Sequence, residues 1–318
     1  MPRFTGLRRV RVRPEVPRGL VRSVDPDALP ADDALDMPND ADDRVGDYVF
    51  DRTRTDEEKR LEAQSTIVDP FTDRLFRDAG LGDGMGVLEL GSGAGDVAML
   101  ASRIVGPQGR VTGIEGSPVA IEAARRRVDA AGLTNVSILA GDLRDLDAVI
   151  DQNLPLFDAV VGRFVLQFMP DPAAVLRAAA SRVRPGGLVC FQECAHYTYA
   201  YPSTPLWDQV RSWVLGALDH ADVETQMGLR LFQTFGAAGL PAPELQLEAG
   251  IGGGERAPAF LWSDLLRSVI PTLEEAGIAT EEEIDPDTLT DRLMADLAAN
   301  EGIVITILLV GAWTRIRT

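Results

Sequence analysis

Gly91, Gly93 and Gly95 fall within five positions in "VLELGSGAGDVAML", residues 87–100, after an apolar run that carries one acid, Glu89, and before an amphipathic stretch. No other feature constrains the fold as strongly. A strand that ends in a glycine-rich turn and opens a helix is how an α/β sheet brings backbone N–H groups and a helix N-terminus up to a ligand. Several kinds of ligand use this turn. Gly93, Gly95 and Ala98 also satisfy the dinucleotide pattern G-x-G-x-x-G/A, so a nicotinamide or flavin site stands as a rival reading.

Short apolar runs alternating with stretches of helical period predict strands over 86–90, 110–115, 135–140, 157–162 and 187–193. Helices are predicted over about 95–104, 118–131, 144–150 and 172–182. This repetition builds a parallel, doubly wound sheet whose ligands bind at the strand C-termini. Upstream, "DEEKRLEAQSTIVDPFTDRLFRDAGL" predicts two helices leading to Gly80 and Gly82. After Glu193 the alternation stops. "TPLWDQVRSWVLGALDHA" puts Leu206, Trp207, Val210, Trp213, Val214 and Leu218 at helical spacing, and "MGLRLFQTFGAAGL" is a further helix. "PELQLEAGI" reads as a strand, residues 258–276 and 286–299 as helices, and "GIVITILLVGAWTRI" as one apolar strand. A stripe of aromatic residues at this spacing serves a core; helices beside the ligand crevice also suit a lid over a substrate.

With 31 Lys+Arg against 49 Asp+Glu, the net charge of −18 repels phosphate backbones and anionic lipid heads, which argues against nucleic acid and membrane as partners. Lys59 is the one lysine, so a lysine base is disfavoured. Cys190 and Cys194 share a predicted strand, where their Cα atoms stand about 13 Å apart, beyond the reach of about 7 Å that a disulfide needs. No metal-like Cys/His cluster accompanies them, and no metal is expected. Neither a signal peptide nor an apolar run of about 18 residues is evident, and a cytoplasmic protein is the expectation.

Residues 1–45 differ from the rest. Arg3, Arg8, Arg9, Arg11, Arg13, Arg18 and Arg22 occupy the first 23 positions with one acid, Glu15, whereas residues 24–43 hold eight aspartates and no base. Like-charge blocks are usually solvated. The alternative is an arm, helped by the β-like alternation of "LRRVRVRPEV", that docks on the acidic body or on a second subunit in a homodimer. The remaining residues, 46–318, are expected to form one domain with helical cap segments at about 46–80, 203–226 and 256–300.

Three acids test the ligand. Glu89, two residues before the first glycine, is costly inside a buried strand unless it meets a cationic ammonium, which an amino-acid-bearing cofactor offers and NAD does not; neighbouring backbone N–H groups are the alternative partners. Glu115 ends the second predicted strand in "VTGIEGS", 20 residues after Gly95, the separation of a carboxylate that accepts both ribose hydroxyls. Asp142 follows Gly141 in "ILAGDLRDL", where it reaches an adenine amino group or remains a solvated loop residue.

Taken together, "VLELGSGAGD", "GIEGS", "AGDLRDL" and "FDAVVGRFVLQFMPDPAAVLRAAASRVRPGGLVCFQE" resemble the class I S-adenosylmethionine-dependent methyltransferases, in their small-molecule branch. The resemblance runs from about Tyr48 to Glu193 and weakly to "VGAWTRI". It implies a Rossmann-like seven-stranded sheet, mostly parallel with an antiparallel last strand, plus a helical cap. It also implies S-adenosylmethionine as cofactor and methyl transfer to O, N or C of a small metabolite, plausibly in bacterial secondary metabolism. Gly91, Ser92, Gly93 and Gly95 would line the methionine part with Glu89 near its ammonium. Glu115, Gly116 and Ser117 would hold the ribose, and Gly141, Asp142 and Leu143 the adenine. Arg163 and Phe164 would border the sulfonium, and Tyr48 and Gln64 would close over the cofactor. Members of the same family that decarboxylate, hydroxylate or cyclise keep a non-methylating reaction open as the alternative. For a base the chain offers His196 and His220; His196, after the fifth strand in "FQECAHYTY", is the catalytic candidate, with Glu193 to orient it or bind the acceptor. A pocket-wall histidine without a proton role is the competing assignment.

Overall fold

The computed structural model describes residues 55–150, 155–196, 199–254, 257 and 260–317. Residues 1–45 and Tyr48 lie outside the described residues. Gln64 falls on the first helix, with its side chain outside them.

Five strands, β1 (Gly86–Leu90), β2 (Arg110–Glu115), β3 (Val136–Ala140), β4 (Phe157–Arg163) and β5 (Val183–Ala195), run parallel. They alternate with α2 (Asp96–Val105), α3 (Pro118–Ala130), the one-turn α4 (Leu146–Val149) and α5 (Pro172–Ser181). Two later strands, β7 (Glu244–Glu248) and β10 (Leu308–Arg315), complete a seven-stranded sheet in the order β3-β2-β1-β4-β5-β10-β7. β10 pairs antiparallel with both neighbours. The expected mostly parallel, seven-stranded architecture is the one observed.

Successive side chains of a strand face opposite sides of a sheet, and the core divides accordingly. Val87, Val161, Leu188 and Cys190 meet Leu75 and Phe76 of α1 (Thr55–Asp78) and Val97, Leu100 and Ile104 of α2. Leu88, Leu90, Val160, Val189 and Phe191 face the other way, onto Leu176 of α5 and Leu231 and Phe235 of α7 (Met227–Ala237). Each such aliphatic side chain, fully buried, contributes about 1.5–3 kcal/mol.

A third core is helical. Trp207, Val210, Trp213, Val214 and Leu218 line the buried face of α6 (Pro205–His220). They join Leu266, Val269 and Leu273 of α8 (Phe260–Glu275) and Leu289, Leu293 and Leu297 of α10 (Pro286–Ala299). The aromatic stripe is therefore core. Val304 ties this bundle to a second sheet of three short strands, ordered β6 (Tyr199–Tyr201), β9 (Ile303–Ile305), β8 (Ile251–Gly253).

Several boundaries differ from the sequence-based expectation. Upstream there is one helix, α1, not two: it runs through Pro70 because Val68, Phe71, Leu75 and Phe76 stay buried on both sides of the break in its hydrogen bonding. The expected helix 144–150 is a 3-10 turn, Leu143–Asp145, followed by the single turn of α4. A short α9 (Glu281–Ile284), held by a capping box of Thr280 and Glu283, was not expected. "GIVITILLVGAWTRI" forms two strands in two sheets, because Thr306 leaves the ladder: its N–H donates to Gly250 O at 2.9 Å, and its hydroxyl accepts from Gly250 N at 2.8 Å. Among the described residues no helix is long and apolar enough to cross a membrane.

Candidate functional site

The parallel strands end on one side of the sheet, and most of the candidate residues sit at those ends. The turn after β1 holds Gly91, Gly93 and Gly95 at φ +69, +53 and +88, the left-handed region that favours glycine. Gly91 and Ser92 donate to Ile114 O at 2.9 and 3.0 Å, which ties the turn to β2. A Cβ on Gly91 would stand 2.6 Å from Val165 Cγ2 and 3.9 Å from Leu143 Cδ1, so Leu143, buried, backs this turn. A Cβ on Gly93 would meet nothing within 4 Å. That side of the loop is open.

Two carboxylates flank the turn. Glu115 spans it, accepting from Gly93 N at 2.8 Å through Oε2 and from Ser117 N at 2.9 Å through Oε1. Glu89 is 1% exposed; its Oε2 accepts from Ser92 Oγ at 2.8 Å, and its Oε1 is buried without a hydrogen-bond partner. Burial pushes this carboxyl up to about 8, against the lowering effects of the Ser92 bond and of Arg163. Gly113, inside β2, was not singled out from the sequence, yet a Cβ there would stand 2.1 Å from Ser92 Oγ. A glycine within a strand was the signal that could have found it.

The second and third strand ends meet through Gly116 and Gly141: Gly141 N donates to Glu115 O at 3.0 Å, and a Cβ on Gly116 would lie 3.6 Å from Gly141 O. Ser117 caps α3 by accepting from Ala120 N. Asp142 is half-exposed and paired with Arg144 at 2.6 Å, and the hydrogen bond from that guanidinium holds its carboxyl below the usual range.

At the end of β4, Arg163 turns toward α1, donating through Nη1 to Asp69 Oδ1 at 2.8 Å and Thr72 Oγ1 at 3.0 Å. Thr72 in turn donates to Gln192 Oε1 at 2.6 Å. Phe164, at φ +54, lies under the Arg163 guanidinium at 5.9 Å and donates its N–H to Gln192 O. Glu193, fully buried, accepts from Val165 N at 2.9 Å and Leu166 N at 2.8 Å through Oε1; its Oε2 has no partner, and burial pushes it up to about 7. It thereby holds Val165 against Gly91.

His196 is buried just beyond β5, with Nε2 3.2 Å from Cys194 Sγ and Nδ1 without a partner. The Cys194 thiol donates to Gln167 Oε1 at 3.1 Å. Burial lowers the imidazole to about 4, so it is neutral at pH 7. The side chain of Glu193 is bonded to the turn after β4 and that of His196 to Cys194, while His196 N donates to Thr225 O. Asp69, Thr72, Gln167 and Gln192 were not singled out from the sequence, because their partners lie far along the chain.

These residues fit a cofactor with an amino-acid end and a nucleoside end. The buried Glu89 Oε1 lacks a donor that an ammonium group supplies, and the open side of Gly93 admits a ligand to the backbone.

Comparison with known proteins agrees. Residues 81–226 match a family described as a methyltransferase domain. A curated relative, demethylmenaquinone methyltransferase of Staphylococcus aureus, is 31% identical over 137 residues, 43% of this chain and 52% of that protein. The match thus spans about half the length of the relative. A solved structure from Bacillus halodurans C-125, assigned as a methyltransferase, shares the fold at TM-score 0.51 and 16% identity, covering 77% of this chain and 98% of that one. Residues 81–226 thus match a methyltransferase domain, within a fold shared with that solved structure.

Proposed function

We propose that the protein transfers the methyl group of S-adenosylmethionine to an O, N or C atom of a small metabolite in the cytoplasm, as part of bacterial secondary metabolism. The observation that carries the reading is the pairing of an unpartnered, buried Glu89 oxygen with a glycine turn open at Gly93. Glu89 receives the ammonium, Gly91, Ser92, Gly93 and Gly95 take the methionine part, Glu115, Gly116 and Ser117 the ribose, and Gly141, Asp142 and Leu143 the adenine. Arg163 and Phe164 border the reacting end, and Tyr48 and Gln64 close over it. The cofactor supplies an electrophilic methyl for in-line displacement, so the protein's work is alignment and, where the acceptor needs it, removal of a proton.

Glu193 acts in this reading by fixing the Val165–Leu166 turn that backs Gly91. His196, neutral and with a free Nδ1, is the group that takes the acceptor's proton. The helices α6, α8 and α10 form the cap that shapes the acceptor pocket. The charge of −18 supports a small acceptor over nucleic acid.

The test is calorimetry with S-adenosylhomocysteine against NAD, followed by transfer of labelled methyl to a metabolite set that includes demethylmenaquinone, the compound named for the curated relative. Tighter binding of NAD than of S-adenosylhomocysteine would overturn the cofactor; binding without transfer to any member would favour a non-methylating reaction.

A further inference from the structure

Which ring nitrogen of His196 carries the hydrogen decides what the imidazole can do, since a neutral ring has one donor and one acceptor. Burial keeps the ring neutral at pH 7 and holds the Cys194 thiol well above its usual value, so the thiol keeps its proton. Cys194 Sγ is bonded to both Gln167 Oε1, at 3.1 Å, and His196 Nε2, at 3.2 Å. The thiol donates to the amide oxygen, which can only accept. Toward His196 the sulfur is then the acceptor, and Nε2 has to supply the hydrogen. Nδ1 is left as a bare lone pair. It is the nitrogen that is buried without a partner, and an acceptor bears that isolation more readily than an N–H does.

The surroundings fix these three side chains relative to one another. Gln167 and His196 are 6% exposed and Cys194 2%, so bulk water does not compete for their hydrogen bonds. Gln167 sits in the 3-10 turn Leu166–Phe168, where its N–H donates to the Glu193 carboxylate and its O accepts from Glu224 N at 2.9 Å. His196 N donates to Thr225 O at 2.9 Å. Two adjacent residues, Glu224 and Thr225, thus tie down the two ends of the Gln167–Cys194–His196 chain. The first turn of α7 closes on its middle, where a Cβ on Gly228 would stand 3.0 Å from the Cys194 carbonyl carbon.

We propose that Gln167 and Cys194 are positioning residues that hold His196 in the Nε2–H form, so that Nδ1 is the atom that takes the proton of the methyl acceptor. The role in proton removal rests on His196 as the base of the methyl-transfer reading; the ring form itself does not. On transfer the acceptor's proton moves to Nδ1, the acceptor keeps the electron pair, and the ring becomes an imidazolium whose Nε2–H stays on Cys194 Sγ.

Nitrogen NMR of the full chain with isotope-labelled histidine reads the ring form without acceptor or cofactor. His220, exposed at the end of α6, is silenced by His220→Gln. At pH 7 the His196 ring is expected to show a protonated Nε2 and a bare Nδ1. Gln167→Leu removes the amide oxygen, frees the thiol proton to turn to Nε2, and is expected to move the hydrogen to Nδ1. Cys194→Ser retains one proton and is expected to keep the wild-type form, whereas Cys194→Ala is expected to give a mixture. On the metabolite methylated in the labelled-methyl screen, Gln167→Leu is expected to lower kcat at least about tenfold, with KM and S-adenosylhomocysteine affinity unchanged. A wild-type ring with its hydrogen on Nδ1, or a ring form indifferent to both Gln167→Leu and Cys194→Ala, would overturn the hydrogen-bond assignment. A changed ring form with full kcat would overturn the positioning role. Failure of the methyl-transfer reading leaves the spectra as they are, so the two failures are told apart, and the wild type with the Cys194 variants decides the ring form should Gln167→Leu not fold.

Discussion

Asp69 of α1 and Arg163 at the end of β4 are joined by an ion pair of 2.8 Å that bridges 94 positions of sequence and carries the first helix to the ends of the central strands. Arg163 is 6% exposed and Asp69 25%. Removing the acid leaves a nearly buried guanidinium bonded to the Thr72 hydroxyl. Asp69→Ala is expected to destabilise the protein by about 1–3 kcal/mol, the scale of a hydrogen bond to a charged group, and to weaken S-adenosylhomocysteine binding. Urea denaturation and calorimetry check the two effects; unchanged stability and affinity would show that the pair does not hold α1 in place.

The raised carboxyl of Glu89 has a definite pH signature. Its folded value, about 8, lies above the ordinary carboxylate value near 4.3, so the folded state binds the extra proton between them, and stability falls as pH rises through that window. Glu193, pushed to about 7, adds to the same slope. Glu89→Gln is expected to flatten part of it and to stabilise the cofactor-free protein at pH 8 and above. A cationic ammonium favours the ionised carboxylate, so cofactor binding at pH 7 is expected to release a proton. Calorimetry in two buffers of different ionisation enthalpy measures that release; none in the wild type would remove Glu89 from the ammonium site.

The glycine turn separates affinity from folding. Gly93 is open around its missing Cβ but sits at φ +53, so Gly93→Val is expected to cost about 1–3 kcal/mol of backbone strain and to abolish binding of S-adenosylhomocysteine. Glu115→Ala is expected to weaken binding more than Asp142→Ala, because Glu115 also holds Gly93 and Ser117, whereas Asp142 is half-exposed and paired with its neighbour Arg144. Folded Gly93→Val with near wild-type affinity would contradict the placement of the methionine part, and the reverse order of the two acids that of the nucleoside.

If His196 takes the acceptor's proton, His196→Ala is expected to lower kcat by about 10²-fold or more with cofactor affinity unchanged. The imidazole lies below its ordinary value, at about 4, so it is already in the accepting form at neutral pH. Its contribution to kcat is therefore expected to be flat from pH 6 upward and to fall only as pH approaches 4. A variant that keeps the full rate would assign His196 to the pocket wall.

Periodicity and glycine placement determined the frame of this protein without help from distant contacts. β1 and β2 begin and end where the apolar runs do, and the turn after β1 needs glycine for reasons internal to its own backbone, as its positive φ angles show. Glu89, Glu115 and Asp142 are singled out by a local signal, since each stands within two residues of a glycine near a strand end. What tertiary structure decided are relations between residues far apart in sequence. The stretch around Pro70 reads as two helices, whereas the burial of Val68, Phe71 and Leu75 that carries one helix, α1, through the proline depends on the sheet. The apolar run after Gly302 was read as one strand because nothing within it shows that Gly250 would capture Thr306. Asp69 and Thr72 join the site through Arg163, Gln192 joins it through Thr72 and Phe164, and Glu193 meets Val165 only once β5 lies beside β4. Side-chain hydrogen bonds across such separations leave no periodic trace in the chain, so the partner of each buried polar group is settled by the fold.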